Sequence, residues 1–282
     1  MTIKKALIYS NKKLKPLDPN YIEGSLLLSF CLGKNKEYLY AHPEQRLIET
    51  QLKNFEKLII RRLKKEPLAY LIKQKEFYDL NFYVDKNVLI PRPETELIIN
   101  EVLKIITNNQ KPITIADIGT GSGCIAIALA KLLAKAKITA VDISSPALKI
   151  AKKNAKRHNV FEKIKFLQSD LLSFKDGKKS ALADFLPSSV IIANLPYLTK
   201  KELTNVPFEP QKALFGGKNG LEIVEKFLRQ ISKLKYQPQT IFLEISPTQT
   251  NKIKNLVNKY LPDKRIKFIK DLNSQIRLIK IL

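Results

Sequence analysis

The chain has 282 residues, of which 44% are hydrophobic and 27% are charged, so it can bury a sizeable core. No segment approaches the roughly 20 consecutive apolar residues that span a bilayer, and the first ten residues lack the apolar run of a signal peptide. Its two cysteines, Cys31 and Cys124, and its two histidines are too few for a disulfide framework or a zinc site. We therefore expect a cytoplasmic protein that binds no metal and no membrane.

The formal net charge of +24 invites a nucleic-acid interpretation, because basic surfaces release counterions from polyanions. However, 42 of the 50 basic residues are Lys and only 8 are Arg, the residue that makes bidentate contacts with phosphate and base edges. The charge is also spread along the whole chain. This distribution is typical of a lysine-rich coding bias and predicts no stable nucleic-acid partner, although it is compatible with an anionic one.

The first third of the chain contains a helical region followed by a hairpin. Apolar residues recur at helical spacing over 20–62, which predicts a small helical unit. Over 76–90, alternating aromatic and β-branched residues surround an Asp-Lys-Asn sequence at 85–87, which predicts a hairpin that turns there. A helix is then predicted from Pro93 to about Ile106, with carboxylates in its first turn.

Beyond Pro112, apolar strands alternate with helices. Strands are predicted at 113–118, 138–142, 164–167, 190–193, 241–245, 266–269 and 276–282, and helices at 125–135, 146–157, 221–234 and 249–260. Continuous apolar strands separated by helices are typical of a parallel sheet that is covered on both faces. The expected fold class is therefore α/β.

A glycine-rich loop follows the first of these strands. It consists of Asp117, Ile118, Gly119, Thr120, Gly121, Ser122 and Gly123. Glycines at a strand-to-helix turn let the backbone bend sharply and approach a nucleotide, and Asp142 ends the next strand, where a carboxylate can accept both hydroxyls of a ribose. The alternative is that the glycines only form a tight turn and that Asp142 caps a helix.

The spacing of the glycines narrows the choice of ligand. They alternate, and so lack the step that seats a pyrophosphate on a helix N-terminus in nicotinamide dinucleotide sites. This favours a ligand without phosphates. S-adenosylmethionine is such a ligand, and we expect Asp117 near its ammonium and sulfonium end.

The strand at 190–193 leads into Asn194, Leu195, Pro196 and Tyr197. An amide or exocyclic amino nitrogen is a poor nucleophile, because its lone pair is delocalised into the adjoining π-system. The Asn194 side-chain oxygen could accept one N–H of such a group, and the backbone carbonyl of Leu195 the other. Pro196 would stiffen the turn, and Tyr197 offers a flat face for a planar acceptor. The alternative is an Asn-Pro turn with a buried tyrosine.

The chain resembles the release-factor glutamine methyltransferases, the HemK/PrmC family, in several segments that occur in the same order. These segments are 67–72, 76–78, 88–96, 117–130, 169–171, 194–197, 208–217 and 243–245. The Pro-Arg-Pro-Glu-Thr-Glu sequence at 91–96 is the most specific of them, since many methyltransferases share the glycine loop.

This resemblance implies an activity and an architecture. The activity is transfer of a methyl group from S-adenosylmethionine to the side-chain amide of the glutamine in the Gly-Gly-Gln tripeptide of class 1 peptide chain release factors. The architecture is a helical substrate-recognition domain over 1–74, a β-hairpin linker over 75–95, and a seven-stranded Rossmann-like class I S-adenosylmethionine-dependent methyltransferase domain over 96–282. We expect a monomer.

The resemblance also implies roles for individual residues around the cofactor. Gly119 to Gly123 would wrap the cofactor, and Asp142 would hold its ribose. Asp170 and Leu171 would flank the adenine. Asn194 would lie between the cofactor and the acceptor and is counted with both.

On the acceptor side, the resemblance implies that residues 194–197 clamp the glutamine amide. Arg92 and Glu94 would border this substrate site, with packing between the hairpin and the following helix as their alternative role. Many family members have Pro where this chain has Leu195. Leucine supplies the same backbone carbonyl, so the consequence for the mechanism should be small.

Two other functions stay open at this point. Asn-Leu-Pro-Tyr also resembles the motif of rRNA adenine dimethyltransferases, so one alternative is an adenine-amino methyltransferase acting on RNA or DNA. Those enzymes begin with the catalytic domain, whereas here about 110 residues precede the glycine loop. The other alternative is a non-enzymatic nucleic-acid-binding protein on a methyltransferase scaffold, against which the intact sequence at Asn194 argues.

Overall fold

The computed structural model describes residues 1–17, 22–106, 113–173, 189–235 and 237–282. These residues divide into two compact units, Met1–Gln74 and Lys75–Leu282. The predicted start of the helical region at Asn20, and Pro112, lie outside the described residues. Within the described ranges, no helix combines the length and apolarity that a membrane crossing requires.

The first unit is helical. Its helices are α1 (Ile3–Leu14), α2 (Ile22–Leu32), α3 (Lys36–Ala41), α4 (Glu49–Leu63) and α5 (Leu68–Leu71). The sequence analysis did not predict α1, although Ile3, Ala6 and Leu14 lie at helical spacing and are fully buried. Arg62 on α4 donates two hydrogen bonds to the Glu23 carboxylate on α2, at 2.6 and 2.9 Å. This bidentate pair fixes the two central helices against each other.

The second unit begins with the hairpin, but the predicted position of its turn is wrong. Strands β1 (Lys75–Phe77) and β2 (Leu80–Phe82) pair in antiparallel fashion. The turn between them is Tyr78 and Asp79, which both have positive φ, 50° and 57°. Two such residues form the two-residue turn that matches the twist of the flanking strands. The Asp-Lys-Asn sequence forms a separate turn, in which the Asp85 carboxylate accepts the Asn87 N–H at 2.9 Å.

A seven-stranded sheet forms the centre of the second unit, as the resemblance implied. Its spatial order is β5-β4-β3-β6-β7-β9-β8. The strands are β3 (Thr114–Ile118), β4 (Lys137–Asp142), β5 (Ile164–Gln168), β6 (Ser189–Ala193), β7 (Thr240–Glu244), β8 (Ile266–Lys270) and β9 (Ile276–Ile281).

The sheet is mixed, so the prediction of a parallel sheet is wrong for the two strand pairs that include β9. Strands β3 to β7 run parallel to one another, whereas β9 is antiparallel to both β7 and β8. The reason lies in the connection between β8 and β9, which is only the turn at 271–275. Such a connection is too short for the crossover that parallel strands require.

Helices connect and cover the parallel strands. The longer ones are α6 (Glu96–Ile106), α7 (Cys124–Leu132), α8 (Ser145–Arg157), α11 (Glu222–Ser232) and α12 (Thr250–Tyr260), and the short ones are α9 (Lys200–Leu203) and α10 (Gln211–Leu214). Phe227 of α11 and Ile253 of α12 are fully buried in one apolar cluster with strand residues such as Ile191.

The strand order determines where a ligand can bind. From β3 the chain passes to β4 on one side of β3 and later to β6 on its other side. The carboxyl ends of β3, β4, β6 and β7 therefore meet at one edge, around the point where the strand order reverses. Open α/β sheets bind their ligands in that crevice.

Candidate active site

The glycine loop between β3 and α7 depends on backbone conformations that favour glycine. Gly119, Gly121 and Gly123 have φ of 77°, 55° and 81°. The N–H groups of Gly119 and Thr120 both donate to the Val141 carbonyl, at 2.8 and 2.9 Å. A Cβ atom on Gly119 would lie 3.5 Å from the Asn194 carbonyl oxygen, so the glycine loop is a neighbour of residues 194–197, which are called the acceptor loop below.

Asp142 lies at the end of β4, where the glycine loop holds its carboxylate. Oδ2 accepts the Gly121 N–H at 2.9 Å, and Oδ1 accepts the Ser144 N–H at 2.8 Å. Each oxygen keeps a further lone pair for a ligand hydroxyl. Burial raises the pKa of Asp142, and these backbone hydrogen bonds oppose that rise. Helix α8 is capped by the Ser144 side chain, which accepts the Ala147 N–H, so the alternative role of Asp142 as its N-cap is not what the structure has.

Asp117, at the start of the glycine loop, is 1% exposed. Its Oδ2 accepts the Thr120 hydroxyl at 2.6 Å, whereas its Oδ1 accepts no hydrogen bond from the described residues. Burial raises the pKa of Asp117 to about 6, although the Thr120 hydroxyl and the Ala126 N–H lower it. The buried oxygen without a donor is an acceptor for a cationic or N–H group of a ligand.

The structure brings the segment of Asp170 and Leu171 to the side of Asp142, because the Ser169 N–H donates to the Asp142 carbonyl at 3.0 Å. Leu171 is 9% exposed and has a φ of 58°. The Asp170 carboxylate forms an ion pair with Lys226 of α11.

Ile143 is a residue that the sequence analysis missed. It follows Asp142 directly, and its side chain is 54% exposed. An exposed large apolar side chain beside a carboxylate that could hold a ribose suits the flat face of a nucleobase. The available signal was its position, since an apolar residue after the acidic end of a strand lies outside the sheet core.

A chain of hydrogen bonds runs behind the acceptor loop. The Asn194 Nδ2 lies 3.2 Å from Thr95 Oγ1, and the Thr95 hydroxyl lies 2.7 Å from Glu244 Oε2. Thr95 and Glu244 are 3% and 6% exposed. Burial raises the pKa of Glu244 to about 7, while its hydrogen bonds with Thr95 and with Asn194 lower it. The sequence analysis assigned no role to either residue.

The backbone of the acceptor loop is fixed by the segment at 214–220 and by Gln249. The Leu198 N–H donates to the Leu214 carbonyl at 2.8 Å, and the Gln249 Nε2 donates to the Tyr197 carbonyl at 3.1 Å. A Cβ atom on Gly216 would lie only 2.6 Å from the Pro196 carbonyl oxygen. A side chain at position 216 would therefore displace the loop.

Arg92 and Glu94 both lie near Tyr197. Burial raises the pKa of Tyr197, and the charge of Arg92 lowers it while that of Glu94 raises it. Arg92 forms an ion pair with the buried carboxylate of Glu209, which also accepts the Ile90 N–H at 3.3 Å. The structure thus brings both residues to the acceptor loop and gives Arg92 a packing partner as well.

Comparison of the chain with known proteins shows which family it resembles in sequence. The family model of the PrmC N-terminal domain matches residues 5–72, and that of ribosomal protein L11 methyltransferase (PrmA) matches residues 93–200. A release factor glutamine methyltransferase of Dictyoglomus turgidum is 35% identical, over 99% of this chain and 98% of that protein. One of Rhodopirellula baltica is also 35% identical, over 92% of this chain and 88% of that protein.

The chain belongs to the release factor glutamine methyltransferase family. The resemblance identified from the sequence is therefore confirmed. Among solved structures, the catalytic domain of hMettl16 in complex with the MAT2A 3'UTR hairpin 1 is similar in fold, with a TM-score of 0.59 over 90% of each chain. Its sequence is 14% identical, so this likeness extends to the methyltransferase fold alone.

The described residues fit S-adenosylmethionine, the cofactor expected for a release factor glutamine methyltransferase. The buried Oδ1 of Asp117 offers an acceptor at neutral pH, where this carboxyl is ionised. The Asp142 carboxylate is oriented by two backbone N–H groups. The three glycines leave space on the backbone between these two acids.

Proposed function

We propose that this protein methylates the side-chain amide nitrogen of the glutamine in the Gly-Gly-Gln motif of class 1 peptide chain release factors. The observation that carries the proposal is the position of Asn194, at the carboxyl end of β6 and directly beside the glycine loop, in a chain of this family. An acceptor amide held by Asn194 would face a methyl donor held by the glycine loop.

In this proposal the cofactor is held by residues of three neighbouring strand ends. Asp117 accepts a hydrogen bond from the ammonium group, and Asp142 accepts hydrogen bonds from the ribose hydroxyls. Leu171 and Ile143 contact the adenine. When bound, S-adenosylmethionine supplies an electrophilic methyl group on a positively charged sulfur.

The acceptor loop performs the other half of the reaction. As the amide nitrogen used its lone pair to bond the methyl carbon, the bond from that carbon to sulfur would break and S-adenosylhomocysteine would leave. Positive charge would develop on the NH₂ group and would be lost with one of its two protons. The Asn194 side-chain oxygen accepts one N–H and the Leu195 carbonyl accepts the other, so both dipoles are aimed at the developing charge. Tyr197 contacts the flat face of the amide, and Arg92 and Glu94 border the opening.

We assign substrate recognition to the helical unit at 1–74. A site that only clamps an amide would methylate exposed glutamines indiscriminately, so specificity requires a second surface. This unit matches the PrmC N-terminal domain, and it exposes large apolar side chains, including Ile8, Phe30 and Tyr40. Such side chains suit a protein partner.

The hairpin and the residues up to 95 form the linker between this helical unit and the methyltransferase domain. The reaction takes place in the cytoplasm. The enzyme is a monomer and has no stable nucleic-acid partner.

The experiment is incubation of the full-length protein with methyl-labelled S-adenosylmethionine and, separately, purified release factor, ribosomal RNA and DNA. We expect label only on the release factor, and peptide mapping should place it on the Gly-Gly-Gln glutamine. A release factor with that glutamine replaced by alanine is the matched control and should stay unlabelled. Label in RNA or DNA, with an unlabelled release factor, would replace this proposal by an adenine-amino methyltransferase.

A further inference from the structure

Asn194 of the acceptor loop and the two side chains behind it come from distant parts of the second unit. Glu244 ends β7, Thr95 lies in the 3-10 turn before α6, and Asn194 follows β6. We propose that Thr95 and Glu244 are positioning residues, which orient the Asn194 side-chain amide so that its oxygen, and not its nitrogen, faces the acceptor. This inference rests on the proposed function, in which Asn194 accepts a hydrogen bond from the substrate.

The hydrogen bonds of these side chains each have one possible direction. An ionised carboxylate can only accept, so the Thr95 hydroxyl must donate its proton to Glu244, 2.7 Å away. The Thr95 oxygen is then free only to accept. Of the two ends of the Asn194 amide, only the Nδ2 end can donate to it, at 3.2 Å. Glu244 thus fixes the orientation of Asn194 through Thr95. Its own hydrogen bond with the Asn194 side chain selects the same Nδ2 end, because an ionised carboxylate can only accept.

The orientation matters because the two ends of an asparagine amide have opposite hydrogen-bonding roles. With Nδ2 bound to Thr95, Oδ1 is left for a substrate N–H. If the Asn194 amide were rotated by 180°, its NH₂ group would face the NH₂ group of the substrate. Two donors cannot pair, and the developing positive charge would meet the wrong end of the dipole.

Burial makes the arrangement specific. Thr95 and Glu244 are almost completely shielded from solvent, so water does not compete for their hydrogen bonds. A buried carboxylate is costly to ionise, and an apolar residue would fill the same space without that cost. The presence of an acid here, bonded to a side chain that contacts Asn194, is explained by the acceptor-only character of a carboxylate.

The same geometry makes the orientation sensitive to pH. Below its pKa of about 7, Glu244 carries a proton that it can donate to the Thr95 oxygen. The Thr95 hydroxyl is then free to donate to Oδ1 of a rotated Asn194 amide, so the orientation with Nδ2 toward Thr95 is no longer the only one that forms a hydrogen bond. The charged groups that face Glu244 are Glu94, which raises its pKa, and Arg277 on β9, which lowers it.

Two further titratable groups sense the charge of Glu244. The Tyr197 hydroxyl and the Cys124 thiol both have raised pKa values, about 12 for the thiol, and both stay neutral near pH 7. Of Glu244, Tyr197 and Cys124, Glu244 is therefore the group that changes charge around neutrality. Asp117, with a pKa of about 6, acts on cofactor binding, so kcat at saturating S-adenosylmethionine is the quantity that should fall as the pH falls through about 7.

The test compares Thr95→Val, Thr95→Ser and Glu244→Gln in the full-length protein, with release factor as the substrate. We expect Thr95→Val to lower kcat by about 10- to 100-fold, the usual scale for a group that orients a reacting residue. Affinity for S-adenosylmethionine should stay the same. Thr95→Ser keeps the hydroxyl and should retain most of kcat. The fall in kcat through pH 7 should disappear in Glu244→Gln and become smaller in Thr95→Val, which keeps the hydrogen bond between Glu244 and Asn194.

A buried threonine elsewhere in the sheet provides the matched control. Thr139 on β4 is 0% exposed, and its hydroxyl has no hydrogen-bond partner among the described residues. Thr139→Val should leave kcat and its pH profile unchanged. A loss in Thr139→Val equal to that in Thr95→Val would mean that any change to a buried threonine has the same effect, and would overturn the proposal.

A second readout does not depend on methylation. The ¹⁵N side-chain amide resonance of Asn194, assigned by its loss in Asn194→Ala, should shift with a midpoint near pH 7, and the shift should vanish in Glu244→Gln and become smaller in Thr95→Val. If this titration is present but no release factor is labelled, the proposed function fails and the positioning stands. If release factor is labelled while Thr95→Val keeps normal kcat, or the resonance does not titrate, the positioning is wrong. Should Thr95→Val fail to fold, Glu244→Gln decides the question by the same two measurements.

Discussion

The glycine loop and the acceptor loop lie side by side at one edge of the sheet, yet they are held in place differently. The glycine loop is fixed by backbone N–H groups and by an acid 21 residues away from Gly121. The acceptor loop is fixed by side chains from distant segments: Asn194 and Thr95 are 99 residues apart, and Thr95 and Glu244 are 149 apart. A short sequence motif therefore contains most of the residues that hold the glycine loop. For the acceptor loop, the motif contains residues 194–197 but not the side chains that support them.

The largest effect that separates the two loops is expected for Asn194→Ala. This variant removes an acceptor aimed at developing charge, and should lower turnover on release factor by roughly 10²–10³-fold. Cofactor affinity, measured by calorimetry, should change little, because the substitution leaves the glycine loop intact. A variant with near-normal turnover would show that residues 194–197 form only a turn.

Asp142→Ala tests the other loop. It should weaken S-adenosylmethionine binding by about 1.5–3 kcal/mol, the range for a charge-assisted hydrogen bond. Calorimetry on the folded variant measures this loss. Asp142→Asn is the matched variant, because it keeps one acceptor oxygen for the backbone N–H groups and should lose less. If Asp142→Ala bound S-adenosylmethionine with wild-type affinity, Asp142 would not be the residue that holds the ribose.

Gly216→Ala asks whether the distant support of the acceptor loop matters. Its Cβ would lie 2.6 Å from the Pro196 carbonyl, and backbone cannot move aside as a flexible side chain can. We expect a loss of about 1–3 kcal/mol in the free energy of unfolding. Turnover should also fall, with cofactor affinity preserved.

Gly33→Ala is the control for that substitution. Gly33 has a φ of 63°, and a Cβ atom at this position would have open space within 4 Å beyond its immediate chain neighbours. The alanine should cost only about 1 kcal/mol of stability, from backbone strain, and leave turnover unchanged. Denaturant unfolding and initial rates measure both quantities. Equal losses of turnover at 33 and 216 would contradict the idea that the 214–220 segment supports the acceptor loop.

The smallest effect is a pH dependence of the cofactor site. The pKa of Asp117 is raised to about 6, so this carboxyl becomes protonated as the pH falls through 6 and can no longer pair with an ammonium. Affinity for S-adenosylmethionine should then fall by about tenfold per pH unit below 6. Asp117→Asn should bind weakly at all pH values and lose the part of the dependence that Asp117 causes. An affinity that is constant between pH 7 and 5 would place the ammonium elsewhere.

For the protein without cofactor, the raised pKa of Asp117 makes folding stability decrease as the pH rises, which is opposite to the pH dependence of cofactor affinity. The native state binds this proton more tightly than the unfolded state, whose carboxyl titrates near 3.8. The contribution of Asp117 to stability is therefore largest below about pH 4 and is lost as the pH rises through 6. Above pH 6, a bound ammonium offsets the cost of the buried charge.

The sequence predicted the strands, the glycine loop and Asp142 because each depends on local pattern. It misplaced the hairpin turn, because Asp-Lys-Asn has the composition of a turn while Tyr78-Asp79 needs the packing of Phe77 and Phe82 to adopt positive φ. It missed the antiparallel end of the sheet, although the short connection at 271–275 contained the signal. Thr95 and Glu244 could not be assigned, since their partnership exists only after the sheet has brought three segments together.

Lysines lie on both edge strands of the sheet, where an open sheet can pair with a strand of another chain. The outermost strands, β5 and β8, have only one hydrogen-bonded neighbour each within the described sheet. Lys165 on β5, and Lys267 and Lys270 on β8, are exposed. A second copy that tried to extend the sheet would bring like charges together at either border. Part of the lysine surplus thus discourages edge-to-edge aggregation, a benefit that requires no binding partner at all.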